Sequence, residues 1–232
     1  MTTSTDAAGW DAGALYRLLA WTSPAYPIGA YTYSHGIEYA VEEGLVRDRA
    51  TLADWIGWIL RHGAGLLDSV LFAESYRAAG DGARLAELTE LGRALRGSAE
   101  TALESRQQGM SFLTITRTAW PDPQLDAAAG RLGEEVPLAI AVALAAAGRV
   151  PLEPALTGYL HAFAANLVSA GVRLVPLGQT DGQRALAALE PVVRETVAVA
   201  LATPIEEAGS AAPMVDWTSM RHETQYTRLF RS

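Results

Sequence analysis

The 232-residue sequence predicts an all-α fold: a single helical domain of about eight to ten helices followed by a C-terminal tail. Three observations carry this expectation. Alanine and leucine dominate, whereas the β-branched and aromatic residues that favour strands are comparatively few. Apolar residues recur at spacings of three and four, with no strand-type alternation and no repeat of fixed period. Half of the residues are hydrophobic, which suits a packed core and not a disordered chain.

In chain order, Leu15, Leu18 and Leu19 predict a short helix ending near Ser23-Pro24. A second is expected from Ala30, with Tyr33, Ile37, Ala40 and Val41 on one face and Gly44 as its stop. Thr51 and Asp54 read as the cap and acidic N3 partner of a third. Its stripe from Leu52 through Trp55, Ile59, Gly63 and Leu67 to Leu71 suggests one continuous helix. Leu85, Leu88, Gly92 and Leu95 mark a shorter helix, and Ala99, Leu103, Met110 and Leu113 a fifth. Pro121 and Pro123 break the chain. A small-residue helix then covers Leu138 to Ala147, closed by Gly148, and another follows Pro154; the alanine-rich runs 139–147 and 162–170 are expected to supply a close contact between two copies of the chain. Thr180 and Gln183 form a candidate capping box for the next, within which Pro191 is expected to bend or split the run. From Thr203, TPIEEAGSAAPMV reads as a linker, followed by DWTSMRHETQYTRLFRS. The expected organisation is a flexible N-terminus over 1–9, a helical domain over 10–203, and a linker and tail over 204–232.

Composition excludes several kinds of chemistry. A formal charge of −8 argues against general nucleic-acid binding. All eighteen basic residues are arginine, so there is no P-loop lysine, Schiff base or lysine general base. Cysteine is absent, which removes disulfides, thiol nucleophiles and cysteine-ligated metals. The opening MTTSTDAAGWDAG lacks the pattern of a signal peptide. The longest apolar run, 136–147, contains Pro137 and falls short of the roughly 20 residues a bilayer span needs. A cytoplasmic location without a membrane anchor is expected.

The candidates for chemistry are few. His35, His62, His161 and His222 show no i, i+4 pair and no H-E-x-x-H, so they read as separate surface or core histidines. Ser34 and His35 are adjacent; on a helix their side chains diverge by about 100°, which rules out a nucleophile–base pair. Arg106 falls on the stripe between Leu103 and Met110. It is expected to hold a buried ion pair that fixes helix packing, with Glu38 or Glu104 as the carboxylate; a side chain leaning outward is the alternative. The segment 171–183, with Arg173 and Gln179 around a proline–glycine turn, reads by itself as a helix–turn–helix link. The tail combines Trp217, Tyr226 and Phe230 with Arg221, Arg228 and Arg231, a composition typical of interface anchors. A terminal helix docked on its own domain is the alternative.

Taken together, four stretches resemble the UreF family of urease accessory proteins. SPAYPIGAYTYSHGIEYAVEEGLV (23–46) is similar to its N-terminal signature, through Pro24, Pro27, Gly29, Tyr33, Ser34, Gly36 and Glu38. Glu104, Arg106 and Gly109 match an E-x-R-x-x-G element. Arg173, Pro176, Gly178, Gln179 and Gln183 match the R-x-x-P-L-G-Q-x-x-G-Q turn, and MRHETQYTRLFRS the C-terminal ending. Two departures stand out: Ala30-Tyr31 replaces Gly-Phe, and GEEVPLAIAVALAAAG lacks a histidine often found before its proline.

The resemblance implies a dimeric, all-helical protein without catalysis of its own. Its implied partners are UreD (also called UreH), the GTPase UreG and apo-urease, with this subunit bridging UreD and UreG and regulating GTP hydrolysis. No cofactor is expected to be tightly bound; nickel is implied in transit. The implied partner-binding residues are Arg221, His222, Glu223, Gln225, Tyr226, Arg228, Leu229 and Phe230, on an arm that orders on binding UreD. The opening motif then reads as a packing and interface element, not an active site. The rival readings are an orphan helical enzyme using Glu38, Arg106 and His35 in a cleft, and a direct nickel carrier.

Overall fold

A computed structural model describes residues 11–232, so the segment expected to be flexible over 1–9 lies outside the described residues. The described chain is all-α, without a strand among its residues. Helices α1 (Ala12–Trp21), α2 (Ile37–Glu42), α3 (Arg49–His62), α4 (Ala64–Arg77) and α5 (Gly82–Ala94) form its first half. Helices α6 (Ala99–Ala119), α7 (Pro123–Leu132), α8 (Leu138–Ala146), α9 (Leu152–Leu174), α10 (Gln179–Ala202) and α11 (Pro213–His222) form the second.

The core is centred on α8, in which every residue from Ala139 to Ala146 is buried. It packs against α4 and α6, with α9 and α10 closing the other side of α4. Small side chains permit this close approach. Gly109 of α6 abuts the Val136 carbonyl so tightly that a Cβ at 109 has no room, which explains the glycine of the E-x-R-x-x-G stretch. One ion pair crosses the core. Arg96 Nη2 lies 2.6 Å from Asp68 Oδ1, with the two side chains 5% and 9% exposed. Tyr159 donates its hydroxyl to the other Asp68 oxygen at 3.0 Å, and burial pushes that phenol well above its usual range.

Several element boundaries differ from those the sequence suggests. The second helix starts at Ile37 and not at Ala30, because His35 (φ 55) and Gly36 (φ 79) are both left-handed and cannot continue a helix. Only a single 3-10 turn, Ala30–Thr32, precedes them. Helix α3 is capped one turn earlier than expected: Asp48 accepts from the Thr51 amide at 2.8 Å. The long third helix is two, α3 and α4, because Gly63 adopts an extended conformation (φ −113, ψ −143). Helix α7 was not expected at all; Pro123 supplies its first turn and Asp122 caps it. Helix α10 begins at Gln179 with Gly178 as its N-cap, so Thr180 and Gln183 lie inside it and form no capping box, and it runs unbroken through Pro191. The proline sits on the exposed face beside Ala187 and Glu190, where water can satisfy the carbonyl it leaves without a donor.

The stretch expected as a linker and free tail returns to the domain. After a 3-10 turn (Ile205–Glu207), α11 lies along α2 and α6. Gly36 receives it: a Cβ there would stand 2.8 Å from the Ser219 amide nitrogen. Ser98 and Ser219 share a hydroxyl hydrogen bond of 2.6 Å beneath the contact.

Candidate functional site

The four stretches singled out in the sequence meet at one place. Residues 33–40, loop and start of α2, are all buried and carry Ser34, His35 and Glu38 into the protein. Helix α6 faces them with Glu100, Glu104 and Gln108, one turn apart. Helix α11 and the residues after it cover both.

Three carboxylates organise the site, and the C-terminal segment satisfies much of what they can accept. Glu38 accepts the Leu229 amide on Oε1 at 2.6 Å, and on Oε2 the Phe230 amide at 2.9 Å and His222 Nε2 at 3.1 Å. Glu100 Oε2 lies 2.7 Å from His222 Nδ1, and its Oε1 accepts from Arg228 at 2.8 Å. Glu104 accepts from the Ser232 hydroxyl at 3.0 Å and from Gln108 at 3.1 Å, with His35 Nδ1 at 3.3 Å. Backbone contacts complete the seam: Arg231 donates to the Thr32 carbonyl at 2.8 Å, and the Ser34 amide to the Ser232 carbonyl at 2.6 Å. Buried polar groups are tolerated only when paired, and here nearly every acceptor has its donor.

Arg173 ties the α9–α10 turn to the same place. It donates to the Tyr31 carbonyl at 2.8 Å, and its guanidinium lies 4.3 Å from the centre of the Phe230 ring. Desolvation there pulls the guanidinium down from its usual range. Pro176, Gly178, Gln179 and Gln183 surround the turn and are exposed. Burial raises the phenol of Tyr33, which donates to Gln107, and the carboxyl of Asp216 in α11. Beside the seam, a cavity of about 440 Å³ opens between the Pro24–Tyr31 loop, α6, α9 and α10, reaching Glu104, Phe163 and Arg173.

Arg106 holds no buried pair. It projects outward, with its side chain 44% exposed, and binds Glu135 at 2.7 Å. Neither Glu38 nor Glu104 is its partner, because both face the opposite side of α6 and are engaged by the C-terminal segment. Glu38, His35 and Arg106 therefore form no common cleft. The tail residues divide in two. Arg221, Glu223, Tyr226, Arg228 and Leu229 are exposed, and Gln225 is half-buried against Glu42. His222 and Phe230 are buried, at 0% and 4% exposure, because the carboxylates and Arg173 hold them inside. Among the described residues, no group of three or more His, Asp or Glu is placed to hold a metal ion.

Sequence reading missed Glu100, Ser232 and the Asp68–Arg96–Tyr159 set. Glu100 and Glu104 stand at i, i+4, where like charges repel on an isolated helix. That spacing was the available sign that cations or N–H donors arrive from another element.

Comparison with known proteins identifies the family. A UreF family model matches residues 46–190. A urease accessory protein UreF from Granulibacter bethesdensis is 58% identical, over 94% of this chain and 94% of its own length. Proteins of the same name from Rhodopseudomonas palustris and Bradyrhizobium diazoefficiens are 51% and 48% identical, over 94% and 98% of this chain. With its stretches of family resemblance gathered into one site and relatives matched over nearly its whole length, the chain belongs to the UreF family of urease accessory proteins.

Proposed function

We propose that this chain is a non-catalytic subunit of a complex with UreD and UreG that inserts nickel into cytoplasmic apo-urease. In this reading it bridges UreD to the GTPase and modulates GTP hydrolysis, and nickel is cargo and not a resident cofactor. The observation that carries the proposal is the outer face of the docked C-terminal segment. Tyr226 is fully exposed and Leu229 is 66% exposed, in a segment that also exposes Arg221 and Arg228 and whose backbone Glu38 fixes from below. Exposed aromatic and arginine side chains on a pre-ordered backbone lose little entropy on binding, which suits them as anchors.

Point variants on the outer face are the informative test, since deletion of 216–232 would strip three buried carboxylates of their donors. Tyr226→Ala combined with Leu229→Asp leaves those bonds in place. The double variant should stay folded, lose co-purification with UreD and fail to support activation of apo-urease in reconstitution. Full-strength capture of UreD by the folded variant would refute the assignment of this face.

A homodimer belongs to the same proposal and rests on the family resemblance. The alanine-rich run 139–147 does not supply its contact, because those residues are buried within their own domain. Light scattering that shows a dimer at micromolar concentration is the expected result, and a monomer would count against it.

A further inference from the structure

We propose that His222 is a proton-dependent latch: the C-terminal segment stays docked while the His222 ring carries two N–H bonds, and rising pH releases it. The geometry leads to this directly. The ring is completely buried, and its two nitrogens face carboxylates of different elements, Glu38 on α2 at 3.1 Å and Glu100 on α6 at 2.7 Å. A carboxylate accepts hydrogen bonds and donates none, whereas a neutral imidazole has a single N–H. Only the imidazolium satisfies both neighbours. Loss of its proton sets a bare ring nitrogen against a buried carboxylate, without water to intervene, and that arrangement is unfavourable.

The surrounding charges sharpen the dependence. Facing the ring are Glu38 from α2, with Glu42 further out, and Glu100 and Glu104 from α6. The loop contributes His35, held on Glu104. The chain after α11 contributes Arg228, on Glu100, and Glu223, which accepts from the Ala99 amide. Arg221, on α11 itself, turns outward toward Tyr39. Among the described residues, Arg228, half-exposed and bound to Glu100, is the one arginine the C-terminal segment sets against these three buried carboxylates. Because the docked state binds a proton that the released segment gives up, docking strengthens as pH falls and weakens as it rises. The inference concerns docking within this chain and does not depend on any partner.

Hydrogen exchange on the full chain tests it, with protection factors corrected for intrinsic rates and compared from about pH 5.5 to about pH 8.5, where histidine loses its proton. Amides of 213–232 should lose protection by on the order of tenfold or more toward the alkaline end, the equivalent of one lost buried hydrogen bond. Amides of α4 and α8 should hold. Glu100→Gln separates the latch from general loosening, because its amide can donate to a neutral ring while still accepting from Arg228. That variant should retain docking at the alkaline end. Wild-type protection of 213–232 that is flat across the range would overturn the proposal. So would a Glu100→Gln protein that loses protection over the same range as wild type; if that variant does not fold, the wild-type profile alone decides.

Discussion

Glu38→Gln exchanges one oxygen for nitrogen in the group that holds the C-terminal segment, and its effect follows from three bonds. The carboxylate accepts the Leu229 and Phe230 amides at 2.6 and 2.9 Å and His222 at 3.1 Å. The glutamine keeps one acceptor, so at best the two bonds on one side persist and the third position sets donor against donor. Losing one bond to a charged group removes about 1.5–3 kcal/mol, and the remaining two weaken because charge-assisted bonds are about twice as strong as neutral ones. Together these give a loss of about 2–4 kcal/mol in docking, roughly 30- to 1,000-fold in its equilibrium constant. The body of the protein does not depend on these bonds. Hydrogen exchange and limited proteolysis should therefore show residues 213–232 opening, while thermal unfolding of the remainder changes little. A variant whose C-terminal amides stay as protected as wild type would refute the assignment of Glu38 as the organising acceptor.

Four further outcomes are expected. Asp68→Ala should lower global stability by about 3–5 kcal/mol in denaturant titration, because it leaves the Arg96 guanidinium buried and unpaired; a loss below 1 kcal/mol, on the order of a surface pair, would contradict it. Arg106→Ala should leave the melting temperature unchanged within error, since its contact with Glu135 is at the surface; a marked fall would restore a structural role. Gly109→Ala should destabilise by roughly 1–3 kcal/mol through overpacking against the Val136 carbonyl, and a neutral result would mean that α6 and α8 can separate freely. Asp122 is held below the usual carboxylate range by Arg149 and by the Leu125 and Gln124 amides. Its support for α7 is thus complete above the unfolded-state value and lost as pH falls through the lower folded one, so exchange at the α7 N-terminus should quicken in acid and become pH-independent in Asp122→Asn.

What was legible in the sequence was what periodicity and local chemistry encode. The helical class, the apolar faces of α3, α4 and α9, and the glycine stop after α2 follow from spacing and backbone preference. Errors came where the deciding partner is distant in the chain. Gly63 looked like a stripe member because its extended backbone is set by packing and not by its neighbours. Arg106 looked buried because a stripe drawn through Leu103 and Met110 runs between the two faces of α6; the buried face is Glu104, Ser105 and Gln108. The tail looked mobile because its apolar residues form no continuous stripe. The donors that dock it are backbone amides of Leu229 and Phe230, a histidine and a serine, and no hydropathy pattern registers them.

That choice of docking chemistry carries a physical consequence. An apolar terminal helix would have sealed the domain by area alone, tolerant of register and indifferent to pH. Here the segment 213–232 buries Val215 and Phe230 but is seated mainly by hydrogen bonds from His222 and from the residues after α11 to three carboxylates that cannot be rehydrated while it is in place. Such bonds demand one register, since a slip of the segment takes the His222 ring off Glu38 and Glu100 together. They also make docking nearly all-or-none, because each carboxylate that loses a donor weakens the case for burying the others. Replacing both Glu38 and His222 with similar-sized apolar residues should therefore separate the two properties. Glu38→Met with His222→Leu is expected to keep 213–232 protected, as buried ionic sets often exchange for packed hydrophobes without loss, while abolishing the dependence of that protection on pH. If the pair instead leaves the segment as open as Glu38→Gln alone, packing is insufficient to seat α11, and the polar seam is what holds it.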